Sequence, residues 1–337
     1  MTRTALVLGG TSFVGRHLVQ ALLDDGWEVT LFHRGRTGAD LFPGVARVTG
    51  DRDGDVSALS GDQRWDVVHD VSAYHPDHVD RVADALLGPD GATADRVGHY
   101  VLVSTVSVYA PLTAAGATED APLLELDEPV PDRADMRLYG ELKVLCERRA
   151  TARFGTPALV RPTIVAGPYD PTDRFTYWVQ RLAEPGDHVV PPDLDVPTQW
   201  VDARDLAGFL VRAGAERLTG PFTVADDPRP FRELVETCVA VSGSGARLVP
   251  LPPDAVGAAD GQVRPWLDLP LWLDPATNDS PGMLQVSAGR ARAAGFTTRP
   301  AAQTVADTLA WVRDEPREPT RGLSRGREAA LLARLRD

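Results

Sequence analysis

Cysteine is scarce in this chain: Cys146 and Cys238 are the only two among 337 residues, without metal-ligand spacing or a disulfide framework. That excludes a stapled secreted scaffold and fits a reducing compartment. Long apolar runs are also missing. Ala5 to Leu8 is too short for a signal-peptide core and leads straight into glycines, and no later segment reaches the roughly eighteen apolar residues of a membrane span. A cytoplasmic protein without a membrane anchor is the expectation. Positive charge is in short supply, with 35 Lys and Arg against 48 Asp and Glu and a net charge of -13. Nucleic acid and anionic membranes bind through basic patches, so neither is an expected partner. No metal site is expected. Three methionines and one asparagine, Asn278, in a chain rich in Ala, Arg, Asp, Gly and Pro suggest a GC-rich bacterial genome.

What is present begins with TALVLGGTSFVGRHLVQALL, residues 4–23. An apolar strand breaks at Gly9 and Gly10, passes Thr11 and Ser12, and resumes at helical spacing through Phe13, Val14, Leu18, Ala21 and Leu22. Glycines permit positive φ and close backbone approach, and a helix N-terminus attracts an anion. A dinucleotide pyrophosphate is the expected guest, with Gly15 letting the helix sit close to the sheet. Ser12 stands where the usual fingerprint has its middle glycine, so its backbone or hydroxyl is expected to face the pyrophosphate.

Strands and helices alternate from residue 4 to about 165, which predicts an α/β fold: a doubly wound, Rossmann-like parallel sheet with a smaller C-terminal substrate-binding region. A dinucleotide-binding domain is expected over 1–165, rejoined by 199–225, with substrate-binding parts at 166–198 and 226–337. The second strand (WEVTLF) ends in His33-Arg34-Gly35-Arg36 with no carboxylate. An acidic residue there would select NAD(H), whereas Arg34 can grip a 2′-phosphate, so NADP(H) is expected ahead of NAD(H). Asp51 could reach the adenine amino group. Val71-Ser72-Ala73 ends the fourth strand, where His69 reads as a hydrogen-bonded core residue. HYVLVSTVSV, residues 99–108, predicts the central strand.

Tyr139 and Lys143 lie four apart on a predicted helix, hence one turn from each other. An ammonium so placed favours phenolate and brings the phenol towards working range, while Thr105 at the central strand's end can hold a carbonyl or hydroxyl oxygen.

These segments together resemble an extended short-chain dehydrogenase/reductase of the NAD-dependent epimerase/dehydratase family, in a divergent GGTxFxG branch. GGTSFVGRHLV resembles its glycine loop, STVSVY its fifth-strand motif, YGELK its catalytic motif, RPTIVAGP its sixth-strand exit and QWVDARDLA a later segment. The resemblance implies Thr105, Tyr139 and Lys143 as catalytic, Lys143 also on the nicotinamide ribose, Pro162 and Ile164 beside the cofactor, and a homodimer paired through helices that include that of Tyr139. Ile164 replaces an asparagine usual in nucleotide-sugar epimerases, and Val106-Ser107 replace the Asp-Glu of sugar dehydratases. The expected activity is therefore ketone/alcohol interconversion on a small, ring-containing or apolar substrate, with a redox-neutral epimerase or a nucleotide-dependent binding protein as alternatives. Tyr74, Val106, Tyr169, Phe175, Trp178 and Trp200, joined by Trp266 or Trp272, are the expected pocket walls. The branch also includes plant chloroplast proteins reported as RNA-binding, a role the acidic charge opposes.

Overall fold

The computed structural model describes residues 2–38, 40–88, 91–126, 129–259 and 261–336. Walking the chain, β1 (Thr4–Leu8) leads through the glycine turn into α1 (Phe13–Asp24), then β2 (Glu28–His33), β3 (Ala46–Thr49) and β4 (Val67–Asp70). Next come α2 (Pro76–Leu87), β5 (Tyr100–Val103), α3 (Tyr139–Phe154), β6 (Ala158–Pro162), β7 (Ile164–Ala166) and α4 (Thr176–Arg181). The later elements are β8 (Asp187–Val190), β9 (Pro197–Thr198), β10 (Trp200–Asp202), α5 (Ala203–Ala215), β11 (Gly220–Val224), β12 (Arg229–Pro230) and α6 (Phe231–Ser242). They finish with β13 (Arg247–Pro250), α7 (Gly289–Ala293), α8 (Ala301–Asp314) and α9 (Arg325–Arg334).

Seven strands form one sheet in the order β11-β6-β5-β4-β1-β2-β3, and every pairing in it is parallel. Because parallel neighbours need crossovers, helices cover both faces and the strands alternate between two apolar layers. Ala5 and Val7 of β1 pack with Leu18 and Leu22 of α1 and Leu206 and Leu210 of α5. Leu6 and Leu8 face the other way, onto Val79, Val82 and Leu86 of α2 and Cys146 and Ala150 of α3. The strand order reverses between β1 and β4, the switch point outside which such sheets bind ligands.

A second core joins α4, α6, α8 and α9 through Trp178, Phe231, Leu234, Val305, Leu309 and Leu331. It includes two short pairings that the sequence does not announce, parallel β8–β13 and antiparallel β9–β12. The Asp202 side chain caps α5 by accepting from Arg204 N at 2.8 Å. The central strand is shorter than its residues suggest, since β5 stops at Val103. There the Thr105 hydroxyl accepts from Ser107 N at 3.1 Å and folds Val106–Val108 into a turn of 3-10 helix. His69 is buried as expected, but neither ring nitrogen has a hydrogen-bond partner among the described residues. Burial pushes its imidazole down to about 3, so it stays neutral.

Candidate active site

The strand ends open into a cleft of about 930 Å³. At its phosphate end, Gly9 adopts φ +97°, and a Cβ there would lie 2.7 Å from the Ser72 hydroxyl. A Cβ on Gly15 would lie 2.0 Å from the Gly9 carbonyl oxygen, so only glycine lets α1 approach the turn this closely. Ser12 is the N-cap of α1, yet its hydroxyl makes no capping bond, and no acidic side chain occupies the first turn. The positive end of the helix therefore faces the cleft unblocked. Thr11, Ser12, Phe13, Val14, Gly15, Val71 and Ser72 all line it. Phe13 sits at φ 30°, a sparsely populated value carried at the turn itself.

Beside the glycine turn, whose Gly9 N donates to the Phe32 carbonyl at 3.1 Å, His33, Arg34, Arg36 and Asp51 line the cleft past β2. His33 accepts from Gly35 N at 3.0 Å, and burial with the nearby Arg47 charge lowers its imidazole below the usual histidine range. It shapes the turn as a neutral ring, so positive charge there comes from the arginines. Arg34 has no ion pair among the described residues, and Arg36 reaches Asp51 only at 3.8 Å. Beneath lies a buried network that no motif announces: Arg52 grips Asp70 with both terminal nitrogens, and Tyr100 donates to Asp70 at 2.6 Å. Arg52 also donates to the Ser72 hydroxyl at 3.2 Å, tying the cleft floor to β4.

At the far end, Thr105, Val106, Ser107, Tyr139, Lys143 and Tyr74 meet, with Pro162 and Ile164 on the β6 side. The Thr105 hydroxyl donates to Ser107 Oγ at 3.2 Å. Burial holds Tyr139 above its ordinary value of 10.0, opposed by the nearby Thr105 hydroxyl and by the positive charge of Arg174. Lys143 sits on α3 one turn from Tyr139, as its spacing predicts, and its ammonium donates to the carbonyls of Ala73 at 2.9 Å and Val103 at 2.6 Å, at the ends of the β4 and β5 segments. Ala73 contributes through this carbonyl and does not itself line the cleft.

The expected aromatic walls divide. Tyr74 lines the cleft, its ring centroid 6.4 Å from that of Tyr139, and Trp266 lines it too. Phe175, Trp178, Trp200 and Trp272 are instead buried in the second core, where Trp178 packs edge-on against Phe231 and donates to the Pro270 carbonyl. Tyr169 turns away under the Arg16 guanidinium and beside Trp311. Aromatic rings satisfy a core as well as a pocket, and composition does not tell the two apart. Arg174 lines the cleft unforeseen. Its sole sequence signal is an arginine just ahead of an aromatic helical segment, which reads equally as a solvated turn.

The glycine cradle, the open helix N-terminus and the unpaired arginine fit a dinucleotide. Residues 5–222 match the NAD dependent epimerase/dehydratase family. The chain is 28% identical over 268 residues to 2-alkyl-3-oxoalkanoate reductase of Stenotrophomonas maltophilia, covering 71% of this chain and 76% of that protein. It is 24% identical over 260 residues to the chloroplast stem-loop binding protein of 41 kDa b of Arabidopsis thaliana, covering 71% of this chain and 63% of the plant protein's length. In fold it is similar to UDP-N-acetylglucosamine 4-epimerase from Bacillus cereus, with TM-score 0.63, 16% identity and coverage of 94% and 99%. It is also similar to the Bordetella bronchiseptica enzyme WbmH in complex with NAD+, with TM-score 0.62, 18% identity and coverage of 93% and 99%. With the matched span taking in the glycine turn, Thr105 and the Tyr139–Lys143 helix, the chain belongs to the NAD-dependent epimerase/dehydratase family and is an NAD(P)-dependent enzyme.

Proposed function

We propose that the protein is an NADP(H)-dependent oxidoreductase that interconverts a ketone and an alcohol on a small substrate. The observation that carries this reading is the convergence of Thr105 and Tyr139 on the same end of the cleft, in a turn where Val106 and Ser107 supply no carboxylate. A phenol kept protonated by burial is suited to give its proton to a carbonyl oxygen, and Thr105 holds that oxygen beside it. Without an acid–base carboxylate pair in the turn, elimination of water has no obvious agent.

When bound, the nicotinamide supplies hydride donation and acceptance. Gly9, Ser12 and Gly15 would hold its pyrophosphate, Arg34 its 2′-phosphate and Lys143 its ribose. Arg34 supports NADP(H) because a guanidinium matches a phosphate through two bonds, and it forms no salt bridge among the described residues; Asp53, which its charge reaches, pairs with His78 at 2.8 Å. The reductase name of the bacterial relative supports ketone reduction in particular, and its substrate, a 3-oxo acid by that name, is a guide to the class tried first. The acidity of the chain weighs against a nucleic-acid partner.

The test measures binding of NADPH and NADH to wild type and Arg34→Ala, followed by consumption of NADPH with a panel of ketones. Tighter binding of NADPH that Arg34→Ala abolishes, with Tyr139-dependent oxidation of the cofactor, is the expected result. Equal affinities in wild type would sink the cofactor assignment. Turnover of an alcohol epimer with no net change at the nicotinamide absorbance band would replace the reductase with the epimerase.

A further inference from the structure

Three buried arginines of this protein spend their terminal nitrogens on the chain itself. Arg52 pairs with Asp70, Arg161 pairs with Glu147 at 2.7 Å, and Arg96 donates to the carbonyls of Leu59, Gln63, Ala85 and Leu86. The half-buried Arg174 does not. It lines the cleft at the Tyr139 end and makes no ion pair or hydrogen bond among the described residues, and its Nε is buried without a partner. Arg321 adds a second positive charge nearby. The lining carboxylates Asp51, Asp53 and Asp279 form no ion pair with Arg174. Asp170, whose charge does reach it, is fully buried outside the cleft lining and accepts from Thr172 N at 2.7 Å.

Nor is Arg174 a loose surface side chain. The preceding Asp173 is buried at φ 56°, fixed by Arg317 through contacts of 2.6 Å to both oxygens and by the Thr320 hydroxyl at 2.8 Å. Its guanidinium stands 5.4 Å from the centre of the Trp266 ring, a cation–π contact. The Trp266 loop is pinned in turn by buried Asp268, which receives Arg264 at 3.1 Å and Arg327 of α9 at 2.8 Å. A desolvated cation costs stability unless it is paired. The chain thus holds one in place, facing the cleft, and leaves its partner to come from elsewhere. The same cleft carries Met136, Leu273, Met283 and Leu284, flexible apolar side chains suited to a hydrocarbon remainder.

We infer that Arg174 binds the carboxylate of the substrate, so that the substrate class is an oxo acid with an apolar body, its carbonyl at Thr105–Tyr139 and its carboxylate on Arg174. A single guanidinium matches a carboxylate through two parallel bonds, whereas a diphosphate calls for further donors. The inference rests on the oxidoreductase reading for the carbonyl, while the carboxylate contact stands on Arg174 itself.

The test uses calorimetric binding to the full chain saturated with NADP+, which removes the phosphate end as a competing anion site. The probes are octanoate, its neutral isostere octanamide, and octyl phosphate. Expected is octanoate binding at least about tenfold tighter than octanamide, a preference lost in Arg174→Met and partly kept in Arg174→Lys, with NADP+ affinity intact in both variants. Equal binding of octanoate and octanamide by wild type overturns the inference, as does a preference that survives in Arg174→Met. Octyl phosphate binding more tightly than octanoate overturns the assignment to a carboxylate. Should Arg174→Met fail to fold, the wild-type comparison and Arg174→Lys still decide. These readouts need no turnover. An Arg174-dependent octanoate preference without reduction of any oxo acid would remove the oxidoreductase reading alone, whereas reduction of neutral ketones with no carboxylate preference would remove the Arg174 contact alone.

Discussion

Asp170 offers a quantitative check on the ground beneath Arg174. Its side chain is fully buried, one oxygen accepts from Thr172 N at 2.7 Å, and the other, Oδ2, has no partner. Burial pushes the carboxyl up to about 6 from the ordinary 3.8, with the neighbouring Asp173 adding to the rise. The folded protein therefore holds a proton that the unfolded chain releases, and stability falls as pH climbs from the unfolded value through the folded one. The linkage relation gives a cost of about 1 kcal/mol at pH 4.5 and roughly 3 kcal/mol at pH 7.5, a difference of about 2 kcal/mol across the interval. In Asp170→Asn the amide oxygen keeps the Thr172 bond but cannot titrate, so whatever constant penalty the amide brings drops out of the comparison. Urea unfolding of both proteins at several pH values between about 4.5 and 7.5 measures the slope. Wild type should lose about 2 kcal/mol relative to the variant over that range, and profiles that run parallel would refute the reasoning.

Tyr139→Phe should lower turnover by roughly 10²–10⁴ while leaving NADP(H) affinity unchanged, checked by steady-state rates and fluorescence titration. Thr105→Val removes a hydroxyl that favours the Tyr139 phenolate; the rising alkaline limb of alcohol oxidation should move to higher pH, with kcat lower by about 10²–10³. Gly15→Ala puts a Cβ 2.0 Å from the Gly9 carbonyl oxygen. It should destabilise by about 1–3 kcal/mol in thermal or urea unfolding and weaken cofactor binding, because α1 must back away from the turn.

The nucleotide half of the fold was legible because its signals are local. Glycines at the first turn, β-branched runs and Pro76 opening α2 each dictate backbone within a few residues. The central strand was overread because Val106 and Val108 look like strand residues, while a single side-chain bond from Thr105 turns the chain. Four-residue spacing places Lys143 near Tyr139 on the helix, but the carbonyls that hold its ammonium lie more than 30 residues away in sequence and carry no local signal. The C-terminal region was harder still. β8 and β13 are short, and Phe175, Trp178 and Trp200 announce burial without saying whether a ligand or a core receives them. Arg174 stands out only in three dimensions, where Arg52, Arg96 and Arg161 bond within the chain and its own half-buried guanidinium does not.

The anchoring of α9 carries one more consequence, and it concerns timing. Glu328 is fully buried in the second core, accepting from Val189 N at 2.9 Å and pairing with Arg181, while Arg327 next to it holds the Trp266 loop through Asp268. The helix behind the glycine turn is covered once Leu206 and Leu210 of α5 have docked on it, whereas Arg174 waits for its aromatic backing until residues some 150 positions downstream are in place. A change in the last helix would therefore loosen the backing of Arg174 while leaving the packing of the glycine turn intact.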